Sequence, residues 1–409
     1  MRELLSGLVL LCVACSSLFA AQKPLPPDEI PHGLGVNIHF RHGGKQLDMI
    51  QDAGFKIIRM DFTWGTVERQ KGKYRFEEVG YDELTKGCVK RDIRLLYILD
   101  YSNRLYEEEQ SVRTEEGREA YAEFAEAAAK RYSGRGILWE IWNEPNIAHF
   151  WKPQPSVKDY CKLVKAAAPR IRRADPSGHV VVGATSTMDF KWLEACFKEG
   201  LLKWADAVSV HPYRPQRPET VLKDYKKLRK LIKKYAPAGK NIPILSGEWG
   251  YSNVNWDNTP LSDTQQARYL VREFLINKAA DVPVSIWYDW SNDGTNPEER
   301  EHNFGTVEHN LEPKVAYHAA STLNHTLAGY AVDDLSVKDD NIYLVTLSSD
   351  GKKALAIWTT GKERTFKLDL NSGKGRLVDM MGDNRQISWE NSLEVEVSQS
   401  PQYLLLNEQ

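Results

Sequence analysis

Two glutamates stand directly after short apolar runs: Glu144 in Trp142-Asn143-Glu144-Pro145-Asn146, and Glu248 in Ser246-Gly247-Glu248-Trp249-Gly250. A lone glutamate in such a place is ordinarily a strand end meeting solvent. A pair can do chemistry if the fold brings the two face to face. Hydrolysis of a glycosidic bond needs one carboxylic acid to protonate the leaving oxygen and a second carboxylate at the reacting carbon. Their environments must push the two proton affinities apart. Other polar residues end neighbouring apolar runs: Arg59 after Ile57-Ile58, and His211-Pro212-Tyr213 after Val210. Arg59 can hold a nearby carboxylate ionised, and Tyr213 can donate a hydrogen bond to it. Asn143 is placed to bind a hydroxyl next to the reacting carbon.

These groups need a frame that gathers strand ends. β-type runs fall at 34–39, 56–62, 94–99, 137–142, 180–184, 207–211, 244–248 and 284–288. Most are continuous Val/Ile/Leu stretches, as in parallel strands covered on both faces. Between them lie segments of helical period near 46–53, 79–91, 115–132, 156–174, 189–199, 219–235, from 262 onward, and 313–327. The clearest carries Tyr121, Phe124, Ala125, Ala128 and Tyr132 on one face, and Ser156-x-x-Asp159 and Ser262-x-x-Gln265 look like helix caps. Eight strands each followed by a helix predict an α/β fold of the (β/α)8 TIM barrel type, whose functional groups gather at the C-terminal strand ends. An open doubly wound sheet shows the same alternation, but no Gly-rich fingerprint follows the first strand. Glu144 and Glu248 then end strands four and seven, which face each other across a barrel mouth.

The pattern changes at 328. Short runs at 342–347, 354–359, 366–370, 376–380, 393–397 and 403–406, split by turn signals such as Asp350-Gly351, predict a small β-sandwich. The expected organisation is a signal peptide over 1–21, the barrel over 22–327 and the sandwich over 328–409. Arg2, the apolar run 4–14 and the small residues through Ala21 carry the export signal, so the protein is expected to be secreted or periplasmic. Lipoprotein anchoring at Cys15, within Cys12-Val13-Ala14-Cys15, is the alternative. No later run has membrane length. A net charge of −2 gives no nucleic-acid footprint. Cys88, Cys161 and Cys196 remain after the signal; with no CxxC or Cys/His spacing there, they read as buried free thiols rather than a zinc site or disulfide framework.

Trp-Asn-Glu-Pro-Asn ending strand four, with a glutamate ending strand seven, resembles the large clan of retaining glycosidases that carry their two glutamates there. Within that clan the chain looks most like glycoside hydrolase family 39 and its endoglycosidase-like relatives, with family 5 as near neighbour. Arg59 in Ile-Ile-Arg-Met-Asp, His211-Pro212-Tyr213, Trp287 on strand eight, and Glu301-His302-Asn303-Phe304-Gly305 followed by Leu311-Glu312-Pro313-Lys314 support the likeness. The resemblance implies Glu144 as acid/base, Glu248 as nucleophile, and Asn143 on the substrate 2-hydroxyl. It implies Arg59 and Tyr213 as supports of the nucleophile, with His211 and Trp287 lining the site.

Further candidates are His39, which can line the pocket, and Trp64, Trp151, Trp249, Trp256 and Trp290, which are placed to form sugar subsites or to pack loops. Asp289 and Asp293 suit either sugar hydroxyls or turn caps. The expected function is a cofactor-free, metal-free β-glycoside hydrolase acting on a carbohydrate. Aromatic-bearing loops after strands four, seven and eight favour endo action. The alternatives are an exo-acting β-glycosidase such as a β-xylosidase, a carbohydrate-binding barrel that has lost catalysis, and a metal-dependent barrel hydrolase. His39 lacks a His-x-His partner, which argues against the last. Nothing in the sequence fixes sugar, linkage or oligomeric state.

Overall fold

The computed structural model describes residues 21–254 and 260–406. Residues 1–20 of the expected signal segment 1–21, with Cys15, and Trp256 therefore lie outside the described residues. Eight parallel strands close into a barrel: β1 (Leu34–Asn37), β2 (Ile57–Thr63), β3 (Arg94–Asp100), β4 (Leu138–Ile141), β5 (His179–Ser186), β6 (Ala207–His211), β7 (Ile244–Trp249) and β8 (Ser285–Trp287). Each pairs with its neighbour in sequence, and β8 closes onto β1 with Val36 opposite Trp287. Helices α1 (Gly44–Asp52), α2 (Tyr81–Lys90), α3 (Glu115–Arg131), α4 (Val157–Ala174), α5 (Phe190–Lys198), α6 (Leu222–Tyr235), α7 (Asp263–Ala279) and α8 (Val315–Thr326) cover the outside. Local chemistry sets their starts. Thr114 accepts from the Gly117 N–H at 2.9 Å, Ser156 from Asp159 at 3.2 Å and Ser262 from Gln265 at 3.2 Å, each filling an orphan donor of a first turn. The stripe Tyr121, Phe124, Ala125, Ala128 and Tyr132 is buried. Among the described residues, no helix is long and apolar enough to cross a membrane.

Inside the barrel, strand alternation sorts side chains into layers. Ile57, Leu96, Leu138, Val181, Ala207, Leu245 and Val284 form an apolar floor, and Leu25 from the lead-in packs against it. Two residues further along several strands the inward side chains turn polar: Arg59 above Ile57, Glu140 above Leu138, Ser209 and then His211 above Ala207. The site is thus built on a dry apolar base.

After α8 the chain forms a six-stranded antiparallel sheet and a two-stranded one. The large sheet runs in the order β9 (Ala331–Lys338), β10 (Ile342–Ser349), β11 (Lys352–Thr359), β16 (Gln402–Leu406), β13 (Gly373–Val378) and β14 (Asn384–Trp389). The small one pairs β12 (Arg364–Asp369) with β15 (Ser392–Val397). Two of these strands, β9 and β14, carry no clear sequence signal. β9 is half exposed with Asp333-Asp334 in its middle, and β14 (Asn-Arg-Gln-Ile-Ser-Trp) is a polar edge. Cys88, Cys161 and Cys196 are free and buried.

Candidate active site

Arg59 is the hub. β2 aims it into the barrel, where it is 1% exposed. Its Nε donates to Glu140 Oε1 at 2.9 Å, Nη1 to Asn37 Oδ1 at 3.2 Å and to Glu248 Oε2, and Nη2 to Asn143 Oδ1 at 2.7 Å. One fixed guanidinium fork therefore sets the positions of two carboxylates and two amides, which a lysine point charge could not do.

The two glutamates reach the mouth by breaking the regular alternation of their strands. Trp142 and Glu144 both have positive φ (69° and 44°), a conformation that side-chain-bearing residues adopt at a cost. The turn is anchored by the Glu144 N–H donating to Ala184 O on β5 at 2.9 Å. On β7 the pairing with β8 slips between Ser246 and Trp249, so Gly247 and Glu248 together oppose the single residue Ile286. Such a bulge re-aims a side chain, and here it presents Glu248 while Trp249 keeps its place outside the barrel.

Glu248 accepts from Tyr213 Oη at 2.9 Å as well as from Arg59. Burial works against its charge, but the Nδ1 edge of His211, the Arg59 charge and the two donated hydrogen bonds outweigh it and hold the carboxyl below its ordinary range. His211 is fully buried; its Nε2 faces Arg59 Nη2 at 3.3 Å, and its Nδ1 meets Glu144 Oε1 at 2.9 Å. The Glu144 and Glu248 side chains are 8% and 13% exposed. A carboxylate oxygen of each and a His211 nitrogen lie within 4.8 Å of one another. Because Arg59 occupies Asn143 Oδ1, the amide nitrogen of Asn143 points toward Tyr101 Oη at 3.3 Å.

The structure thus brings Arg59, Asn143, Glu144, His211, Tyr213 and Glu248 together, with His39 at the rim. Trp287 and Trp249 need correction. Both are wholly buried, and the Trp287 indole N–H is spent on Phe304 O at 3.2 Å. In β8, Val284 and Ile286 point inward, so Trp287 points out toward the helices. The next residue, Tyr288, takes the inward direction. It is half-buried, stands edge-on to His39 with ring centres 5.7 Å apart, and lies 6.4 Å from the Tyr213 ring. Trp64, Trp151 and Trp290 are also buried.

Sequence reasoning missed Asn37, Glu140, Asp100, Tyr288 and the placement of Asp289. A period-two reading would have flagged Glu140, a charge two residues beyond inward-facing Leu138. Asp100, wholly buried at the end of β3, is pushed well above the usual carboxylate range by that burial and then by Asp61 beside it. His39, Asp289 and Asp293 also bring one donor atom each within 4.8 Å of one another. In this group, as in Glu144–His211–Glu248, an imidazole sits among carboxylates.

Comparison with known proteins follows the same lines. Residues 35–294 match the family "Cellulase (glycosyl hydrolase family 5)". A β-xylosidase of Geobacillus stearothermophilus is 26% identical over 257 residues, covering 56% of this chain and 48% of that protein, so the match spans about half the length of the relative. The structure of a family 39 glycoside hydrolase from the gut symbiont Bacteroides cellulosilyticus WH2 superposes with a TM-score of 0.83 at 26% identity, covering 94% of this chain and 83% of that one. A monomeric β-xylosidase from Caulobacter crescentus CB15 shares the fold, with a TM-score of 0.68 at 17% identity over 94% of this chain and 97% of its own.

Proposed function

The chain belongs to the cellulase family, glycosyl hydrolase family 5, and is an O-glycosyl hydrolase with a family 39-like architecture; from that premise we propose that it is an exported, retaining β-glycosidase working by double displacement. Glu248 attacks the anomeric carbon while Glu144 protonates the leaving oxygen. Glu144 then takes a proton from water, which releases the sugar from Glu248. Asn143 Nδ2 binds the sugar 2-hydroxyl, Arg59 and Tyr213 keep the nucleophile ionised and oriented, and Tyr288 with His39 lines the sugar subsite.

One observation carries retention: the approach of the Glu144 and Glu248 carboxylate oxygens within 4.8 Å. Retaining enzymes hold the two carboxyl groups about 5–5.5 Å apart, whereas inverting ones leave about 6.5–9.5 Å for a water. Following the anomeric proton by NMR during hydrolysis of an aryl β-glycoside tests this. First-formed β-sugar supports the proposal, and first-formed α-sugar overturns it. Glu248→Ala should abolish turnover in the same assay.

A specific observation favours exo over endo action. Trp64, Trp151, Trp249 and Trp290, which the sequence offered as sugar subsites, are spent on the core. Among neutral glycosides we favour β-xylosides, in line with the name of the Geobacillus relative. Single-sugar release from β-linked xylo-oligosaccharides supports this reading; a ladder of internal fragments returns it to endo action. Export rests on the apolar run 4–14 followed by small residues.

A further inference from the structure

At the rim between β1 and β8, His39 and Asp289 form a unit that the double-displacement chemistry does not use. Asp289 is 1% exposed, and among the described residues no hydrogen-bond donor satisfies either of its carboxylate oxygens. What stands against it is His39, whose Nε2 lies 3.2 Å from Asp289 Oδ2. A buried carboxylate without donors is costly to ionise alone: burial pushes Asp289 up to about 7 although His39 opposes the rise, so from about that pH upward its charge is tied to a positive imidazole.

The surroundings of His39 point the same way. Asp289 and Asp293 face it from the loop after β8, and Asp61 faces it from β2. Asn37 Nδ2, which can only donate, lies 3.4 Å from the same Nε2 and makes no hydrogen bond to it when the ring is charged; Asn37 is held instead by Arg59, which also holds Glu248. The ring is thus two side chains removed from the nucleophile. Burial alone would favour the neutral ring, but the contact with Asp289 and the nearby Asp293 and Asp61 charges override it and raise the imidazole to about 9. Its other nitrogen, Nδ1, makes no hydrogen bond to the described residues, and the side chain is 39% exposed. An N–H donor on a part-exposed ring is therefore left unspent at the strand ends.

We propose that His39 binds the glycon as an imidazolium, donating Nδ1–H to a ring hydroxyl of the sugar on Glu248, and that Asp289 is the positioning residue that keeps it charged and aimed. The proposal rests on the glycosidase reading of the mouth and adds to it a charge-assisted donor on the β1/β8 side, opposite Asn143. Such bonds are the strong class of neutral-sugar contacts. Losing one costs binding on the order of ten- to hundred-fold.

The test uses the full chain, its Asp289→Asn and His39→Gln variants and their double, with Glu248→Ala as control. The substrate is a dinitrophenyl β-glycoside whose leaving group needs no proton. With that substrate the acid role of Glu144 drops out of the alkaline limb and the ionisation of His39 remains. Wild type is expected to hold its kcat/KM up to about pH 9. Asp289→Asn should raise KM by about ten-fold or more, with a smaller change in kcat, and move the alkaline limb to lower pH. The double variant should be no worse than His39→Gln, because both changes remove one contact. NMR titration of the His39 ring needs no turnover; it should show the raised value in wild type and its loss in Asp289→Asn. A wild-type ring titrating at the ordinary histidine value, or an Asp289→Asn enzyme with unchanged KM and pH profile, overturns the pair. A wild type that hydrolyses no glycoside overturns the glycosidase reading instead, and the pair's role with it.

Discussion

A nucleophilic carboxylate in a mostly dry barrel has to be kept ionised by its neighbours, and here each neighbour's share can be tested separately. Glu248 receives one hydrogen bond from Tyr213 and one from Arg59, against a burial that favours its neutral form. Arg59 cannot be removed cleanly, because it also neutralises wholly buried Glu140, and an uncompensated buried carboxylate costs about 3–5 kcal/mol. Tyr213 can. Tyr213→Phe keeps the ring and deletes the donor, so the proton affinity of Glu248 should rise. The enzyme is active where Glu248 is ionised, so the acid limb of kcat/KM should move to higher pH, by about one unit. At the optimum the rate should fall about ten-fold. A pH–rate profile of the variant decides it; an unmoved acid limb would assign the ionisation of Glu248 to His211 and Arg59.

Whether a residue enters the mouth is decided by its strand, and this is where the sequence was only partly legible. The number and order of barrel elements could be read because buried parallel strands are continuous apolar runs. That same continuity conceals which residues point inward. Trp287 and Tyr288 look equivalent in Ser-Ile-Trp-Tyr-Asp, and only the inward direction of Val284 and Ile286 separates them. The left-handed residues around Asn143 are likewise invisible in residue type, since no glycine marks Trp142 or Glu144, whereas Gly247 does stand inside the β7 bulge. Glycine does mark one constraint. A Cβ on Gly250 would stand 1.9 Å from the Tyr288 carbonyl oxygen and 2.9 Å from its carbonyl carbon. Backbone cannot swing aside as a side chain can, so Gly250→Ala should force the ends of β7 and β8 apart. Overpacking of this kind costs about 1–3 kcal/mol. It should also displace Glu248, two residues upstream, and Tyr288 itself. The expected result is a lowered Tm together with a fall in kcat larger than that for an alanine placed at open Gly44. Equal effects at the two glycines would show that the approach of β7 to β8 does not set the site.

At the scale of the molecule, the C-terminal sheet is spent on holding the barrel. Along β10 and β11 side chains alternate strictly. Ile342, Leu355 and Ile357 face the two-stranded sheet, while Tyr343, Val345, Leu347, Ala354, Ala356 and Trp358 join the core shared with the barrel helices. Both faces of the central strands are therefore occupied, and neither offers the exposed platform that polysaccharide binding would need. The contact is polar at its centre as well. Glu219, just before α6, takes a bidentate pair from Arg272 on α7 at 2.6 and 2.8 Å, and its Oε1 also accepts from Trp358 Nε1 at 2.8 Å. Trp358 stacks on Tyr343 with ring centres 5.4 Å apart. Removing that indole opens a cavity at the seam and takes a donor from a buried carboxylate, two penalties that act together. Trp358→Ala should cost about 3–5 kcal/mol, and the loss should appear in the barrel although the substituted residue lies outside it. Denaturation followed by activity and by far-ultraviolet circular dichroism should give one coincident transition, shifted equally in both signals. If the sandwich unfolded first and left an active barrel behind, the two units would be energetically separate, and the shared core would be contact without coupling.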